Sequence, residues 1–195
     1  MAAFGDSLVN RVPDVRFVVD SMLAQATDQG SRFHRRIDTD RIGMSGLSFG
    51  GFTTLIAAQQ DPRFEAAFAL VPGGAEALDP RGISIPLLVV GAERDRVVGF
   101  PESEAAYARA VGPRYLVELL GGNHLSAVDD CFNHDLNLNV CVPGDISQDD
   151  AHRLILRYAL PFFRRYLQGN RAAGKKLLRE IPGVTLLADP HRGAL

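Results

Sequence analysis

The chain has 195 residues, 46% hydrophobic and 23% charged, which is enough to bury one core and fits a single domain. A net charge of −2 and a pI near 6.2 give no electrostatic reason to expect nucleic acid or an anionic membrane as partner. No segment approaches the roughly 20 apolar residues of a membrane-spanning helix, and Met1-Ala2-Ala3-Phe4-Gly5-Asp6 has neither the basic n-region nor the apolar h-region of a signal peptide. Pro13 to Ala26 carries apolar residues at 15, 18, 19, 22, 23 and 26, the spacing of an amphipathic helix face, with Pro13 suited to the first turn.

Arg41 to Gly46 reads as a short strand and Phe52 to Gln60 as a helix, so Gly46-Leu47-Ser48-Phe49-Gly50 falls at a strand-to-helix turn. A G-x-S-x-G in that context has the form of a nucleophile elbow. The serine backbone is strained, its hydroxyl stands above the sheet, and small residues two before and two after it let strand and helix cross. Gly46 and Gly50 supply that smallness. A chance match in a chain with 19 glycines is the competing reading, and the flanking strand and helix decide against it.

A serine hydroxyl needs a base and an acid, here expected in the order Ser, Asp or Glu, His. Phe64 to Val71 reads as the next strand, closed by Pro72-Gly73-Gly74, and Ile85 to Val90 as a buried parallel strand followed by Gly91-Ala92-Glu93-Arg94-Asp95. Asp95 therefore belongs to a loop at a strand's carboxyl end, where open α/β sheets place their chemistry. Glu93 is the competing acid, and pairing of Asp95 with Arg94 or Arg96 the bland alternative. Pro101 to Val111 reads as a helix and Tyr115 to Leu120 as a strand ending in Gly121-Gly122-Asn123-His124. His124 is the histidine that directly follows a strand; His34 and His191 read as solvated, and His134 and His152 take no role.

Cys131 and Cys141 lie in the long loop after His124. A local disulfide in an exported protein and two reduced thiols in a cytosolic one stand equal there. Asp129, Asp130, His134 and Asp135 crowd the same stretch, but their spacing matches no standard metal-ligand pattern. Ser147, with Asp150 three residues on, resembles a capping box opening a helix to about Leu167, which Pro161 should kink. Gly169 to Leu195 reads as a basic tail of weak structure. The alternation of strand and helix argues for an α/β fold with a mostly parallel sheet.

Ile42-Gly43-Met44-Ser45-Gly46-Leu47-Ser48-Phe49-Gly50-Gly51, the Leu-Leu-Val-Val-Gly-Ala-Glu-Arg-Asp stretch ending at Asp95, and Val117-Glu118-Leu119-Leu120-Gly121-Gly122-Asn123-His124 resemble segments of α/β-hydrolases. The likeness spans roughly residues 14 to 168 and is nearest to dienelactone-hydrolase-like esterases, including bacterial cutinase-like and platelet-activating-factor-acetylhydrolase-like groups. Dienelactone hydrolases proper carry cysteine at the nucleophile position, so Ser48 points to the esterase relatives.

The resemblance implies a serine carboxylic-ester hydrolase for short acyl or aryl esters, without cofactor or metal. Ser48 would be nucleophile, His124 general base and acid, and Asp95 the orienting acid. That fold has four strands before the nucleophile strand, whereas 47 residues precede Ser48 here. The expected architecture is therefore α/β-hydrolase-like and N-terminally truncated, without the loop that gives one of two oxyanion-hole amides, so that the Phe49 amide is the donor that remains. Two consequences follow. The chain could instead be a weakly active or inactive homologue serving binding or assembly. The nucleophile strand would be an exposed edge inviting a homodimer or larger assembly. The default location is cytoplasmic, or secreted if the start is truncated and Cys131 and Cys141 are bridged.

Overall fold

A computed structural model describes residues 2–129 and 146–191, with side chains described from residue 9 onward. Helix α1 (Ala2–Thr27) is followed by β1 (Ile42–Leu47), α2 (Phe49–Gln60), β2 (Phe64–Leu70), β3 (Leu87–Ala92), α3 (Phe100–Arg109) and β4 (Arg114–Leu119). Then come α4 (Gln148–Tyr166), α5 (Arg171–Leu177) and β5 (Val184–Asp189). The sheet runs β1-β2-β3-β4-β5, parallel from β1 to β4, with β5 antiparallel to β4. This is the expected mostly parallel α/β arrangement, with β1 as an edge strand that pairs with β2 alone among the described residues.

Strands β2, β3 and β4 each feed two cores because their alternate residues point to opposite faces. Ala67, Ala69, Leu87, Val89 and Leu116 meet Leu55 of α2 and Tyr107 of α3 on one face. Phe68, Leu88, Val90, Tyr115 and Val117 meet Tyr158 and Phe162 of α4 and Leu177 of α5 on the other. All six residues of β3 are buried, which is why that strand reads as an unbroken apolar run. Complete burial of each of its leucines and valines contributes on the order of 1.5–3 kcal/mol.

Two boundaries differ from expectation. Helix α1 starts at Ala2, so Pro13 lies in its interior, where the absent N–H leaves one rung of the helix ladder unmade. The apolar stripe of α1 is only partly covered: Ala26 is buried, while Val18 is 58% and Met22 37% exposed. Helix α4 opens as expected, the Ser147 hydroxyl oxygen accepting from the Asp150 N–H (3.1 Å), and runs through a buried Pro161 without a break. The region after Gly169 is not a weakly structured tail. Asn170 caps α5 by accepting from the Ala173 N–H (3.0 Å), and β5 lies along β4 with Val184 buried. The alternation Val184, Leu186, Ala188 after Pro182-Gly183 is the strand signal that the neighbouring basic residues obscure.

Candidate active site

Strands β1, β3 and β4 run in parallel, so the loops at their carboxyl ends open on the same margin of the sheet. Ser48 stands between β1 and α2 with φ 55° and ψ −117°, a conformation rare for any residue other than glycine, and its N–H donates to the Leu70 carbonyl (2.9 Å). This is the strained strand-to-helix turn that the pentapeptide predicts. A β-carbon on Gly46 would lie 2.3 Å from the Gly50 carbonyl oxygen, so the first glycine is required by contact. Gly50 is not required in the same way: a β-carbon there would meet nothing within 4 Å among the described residues.

The structure brings Ser48, His124 and Asp95 into one hydrogen-bonded line. His124 Nε2 lies 2.8 Å from Ser48 Oγ, and His124 Nδ1 lies 2.7 Å from Asp95 Oδ2. An imidazole that donates from Nδ1 to the carboxylate leaves Nε2 to accept from the serine hydroxyl. His124 and Asp95 are both buried. The other Asp95 oxygen, Oδ1, accepts from the Val97 and Val98 N–H groups, each at 2.8 Å, which fixes the carboxylate. Glu93, the competing acid, is occupied elsewhere, its Oε2 accepting from the Gly121 N–H at 2.7 Å. The His124 loop is set by a local turn, with the Asn123 N–H donating to Ser126 Oγ (2.8 Å) and the Leu125 N–H to Asn123 Oδ1 (2.9 Å).

Phe49 occupies the first position of α2, where the helix dipole favours negative charge. Its ring stacks on Phe52 (centroids 6.0 Å apart, planes 9° apart) and carries the Arg11 guanidinium 4.3 Å from its centroid. A cleft of about 440 Å³ opens beside Ser48, walled by Phe49, Phe52, Gly73, Gly74, Glu76, Ala77 and Val98. Phe52 was legible as a helix residue and not as part of the site, although it lies four residues after Ser48, one helical turn along the same face. Among the other histidines, His152 Nε2 contacts the Val128 carbonyl (3.2 Å), and His34 is half-buried rather than solvated. Cys131, Cys141, Asp130, His134 and Asp135 lie outside the described residues, so both the disulfide and the metal reading stay expectations.

Residues 6–135 match the family model named PETase and described as PET hydrolase-like. The chain belongs to the PET hydrolase-like family. A bis(hydroxyethyl) terephthalate hydrolase of Streptomyces coelicolor is 28% identical over 158 residues, 81% of this chain and 44% of that protein. The cutinase est2 of Thermobifida alba is 32% identical over 120 residues, covering 60% of this chain and 39% of the cutinase. The platelet-activating factor acetylhydrolase of Canis lupus familiaris is 30% identical over 140 residues, 67% and 30% of the two chains. The PET hydrolase-like chain thus spans less than half the length of each of these relatives. No helix among its described residues is long and apolar enough to cross a membrane.

Proposed function

We propose that this chain carries the reacting centre of a serine carboxylic-ester hydrolase. The observation that supports this most is the line Ser48 Oγ, His124 Nε2, His124 Nδ1, Asp95 Oδ2, with separations of 2.8 and 2.7 Å. In this reading Ser48 Oγ attacks the ester carbonyl while His124 takes its proton, and Asp95 holds the imidazole in the right tautomer and stabilises the imidazolium. The Phe49 N–H donates to the oxygen of the tetrahedral intermediate. His124 then returns the proton to the departing alcohol, and water repeats the sequence on the acyl-enzyme. The cleft beside Ser48 suits a short acyl or aryl group, in keeping with relatives named as cutinases and a bis(hydroxyethyl) terephthalate hydrolase. A fluorophosphonate probe tests this directly. It should label Ser48 in the intact protein and fail on His124→Ala, and an unlabelled Ser48 refutes the reading.

A second reading, assembly, draws on β1. Its outer edge is unpaired among the described residues, with Gly43 and Ser45 exposed. Leu156, 51% exposed, shares a hollow with Ser45, Gly46, Leu47 and Phe68, and Leu160 one turn further along α4 is 50% exposed. Open strand edges bordered by apolar side chains pair with other strands. In this reading a second copy of the chain covers the edge and brings a second oxyanion donor toward Ser48. Light scattering decides it, since a clean monomer of 21.2 kDa at micromolar concentration removes the assembly.

A further inference from the structure

One wall of the cleft beside Ser48 is bare backbone, the glycine pair Gly73 and Gly74. The chain bends sharply there: Val71 has φ 39°, rare for a branched side chain, and Gly74 has φ 76°. The pair rests on two other walls of the same cleft. A β-carbon on Gly74 would lie 2.7 Å from the Phe52 ring, and one on Gly73 would lie 3.5 Å from Val98 Cγ1. Backbone of this kind keeps its shape only where its surroundings fix it. A side chain from another element contributes: Glu102, half-buried in the first turn of α3, accepts from the Gly74 N–H through Oε2 at 3.1 Å. Asp95 is held separately, by the Val97 and Val98 N–H groups.

We infer that Glu102 is a positioning residue that sets the size of group the cleft admits: it latches Gly74 against Phe52, and without the latch the glycine wall withdraws. The inference rests on the hydrolase reading above. A short acyl group fits whether or not the wall withdraws, whereas a longer one gains room. Glu102 also places a negative charge at the start of α3, where a helix favours one, so the hydrogen bond and the charge have to be told apart. Substitution separates them. Glutamine keeps a carbonyl acceptor of the same reach and loses the charge, while aspartate keeps the charge and is one methylene too short to reach Gly74.

The test compares p-nitrophenyl butyrate with p-nitrophenyl octanoate. The ratio of the two kcat/KM values, butyrate over octanoate, should fall about fivefold in Glu102→Ala, the net worth of one hydrogen bond. The change should lie in KM for the octanoate, with kcat for the butyrate kept, because the latch does not touch the Ser48, His124 and Asp95 line. Glu102→Gln should hold the native ratio, and Glu102→Asp should lose it as the alanine variant does. Each ratio comes from one protein preparation, so a general loss of activity or folding cancels. A ratio that Glu102→Ala leaves within twofold, or one that moves in Glu102→Gln and holds in Glu102→Asp, overturns this inference alone. Turnover of neither ester, with Ser48 unlabelled by the fluorophosphonate, overturns the hydrolase reading and the latch with it.

Discussion

Gly46 and Gly50 touch backbone to backbone, and the contact is one-sided: a β-carbon on Gly46 would lie 2.3 Å from the Gly50 carbonyl oxygen, while one on Gly50 would meet nothing within 4 Å among the described residues. Gly46→Ala should therefore destabilise by roughly 1–3 kcal/mol, the usual cost of forcing extra atoms into a packed site. Gly50→Ala, at the second position of α2, should hold or gain up to about 1 kcal/mol, because alanine is the better helix former. Urea unfolding of the two variants beside the parent protein measures the contrast, and an equal loss in both would contradict it.

Ser48→Ala and His124→Ala should each abolish hydrolysis of a short p-nitrophenyl ester, and Asp95→Asn should reduce kcat by about 10⁴, since the imidazole would be left in the wrong tautomer. Glu93→Gln should change little, because Glu93 binds the Gly121 N–H and glutamine can accept the same bond. Steady-state kinetics on the four variants checks the set. A larger loss in Glu93→Gln than in Asp95→Asn would reassign the acid.

Asp61 accepts from Arg63 Nε at 2.8 Å and Nη2 at 2.6 Å, with Arg16 3.7 Å away. The Arg63 hydrogen bonds hold this carboxyl below its ordinary value of 3.8. A group depressed by folding contributes stability that is complete above its unfolded pKa and is lost as pH falls through its folded one. Asp61→Asn should cost roughly 1–3 kcal/mol at neutral pH and flatten the fall of stability below pH 3.8. Denaturation midpoints taken across the acid range on both proteins give the comparison.

Most of the sheet could be read because its strands are buried in different degrees. Leu87 to Ala92 is covered on both faces and shows as a solid apolar run, and the loop after it could hold only Glu93 or Asp95 as acid. The choice between those two lay in distance, since Glu93 and Asp95 are near neighbours in the chain yet bond to Gly121 and His124 respectively. Phe52 and Glu76 as cleft residues were hidden for a related reason. Phe52 lies on an ordinary helix face one turn from Ser48, and Glu76 in a short turn that only the fold brings beside it. β5 was missed because a single short strand outside the strand-helix alternation has its register set by β4, while the lysines and arginines before it read as solvated tail. The extra turns of α1 were missed because Pro13 is a favoured first residue, and only the completed helix shows it as an interior one.

Among the described residues the strands sit side by side in chain order, β1 to β5, with no strand inserted between earlier neighbours. In such an order each strand's partner precedes it in the chain, so no finished pairing has to open to admit a latecomer. The reacting groups keep to the same order. Ser48 follows β1, but the imidazole that it contacts lies 76 residues further on, so the serine has no base until the loop after β4 has docked.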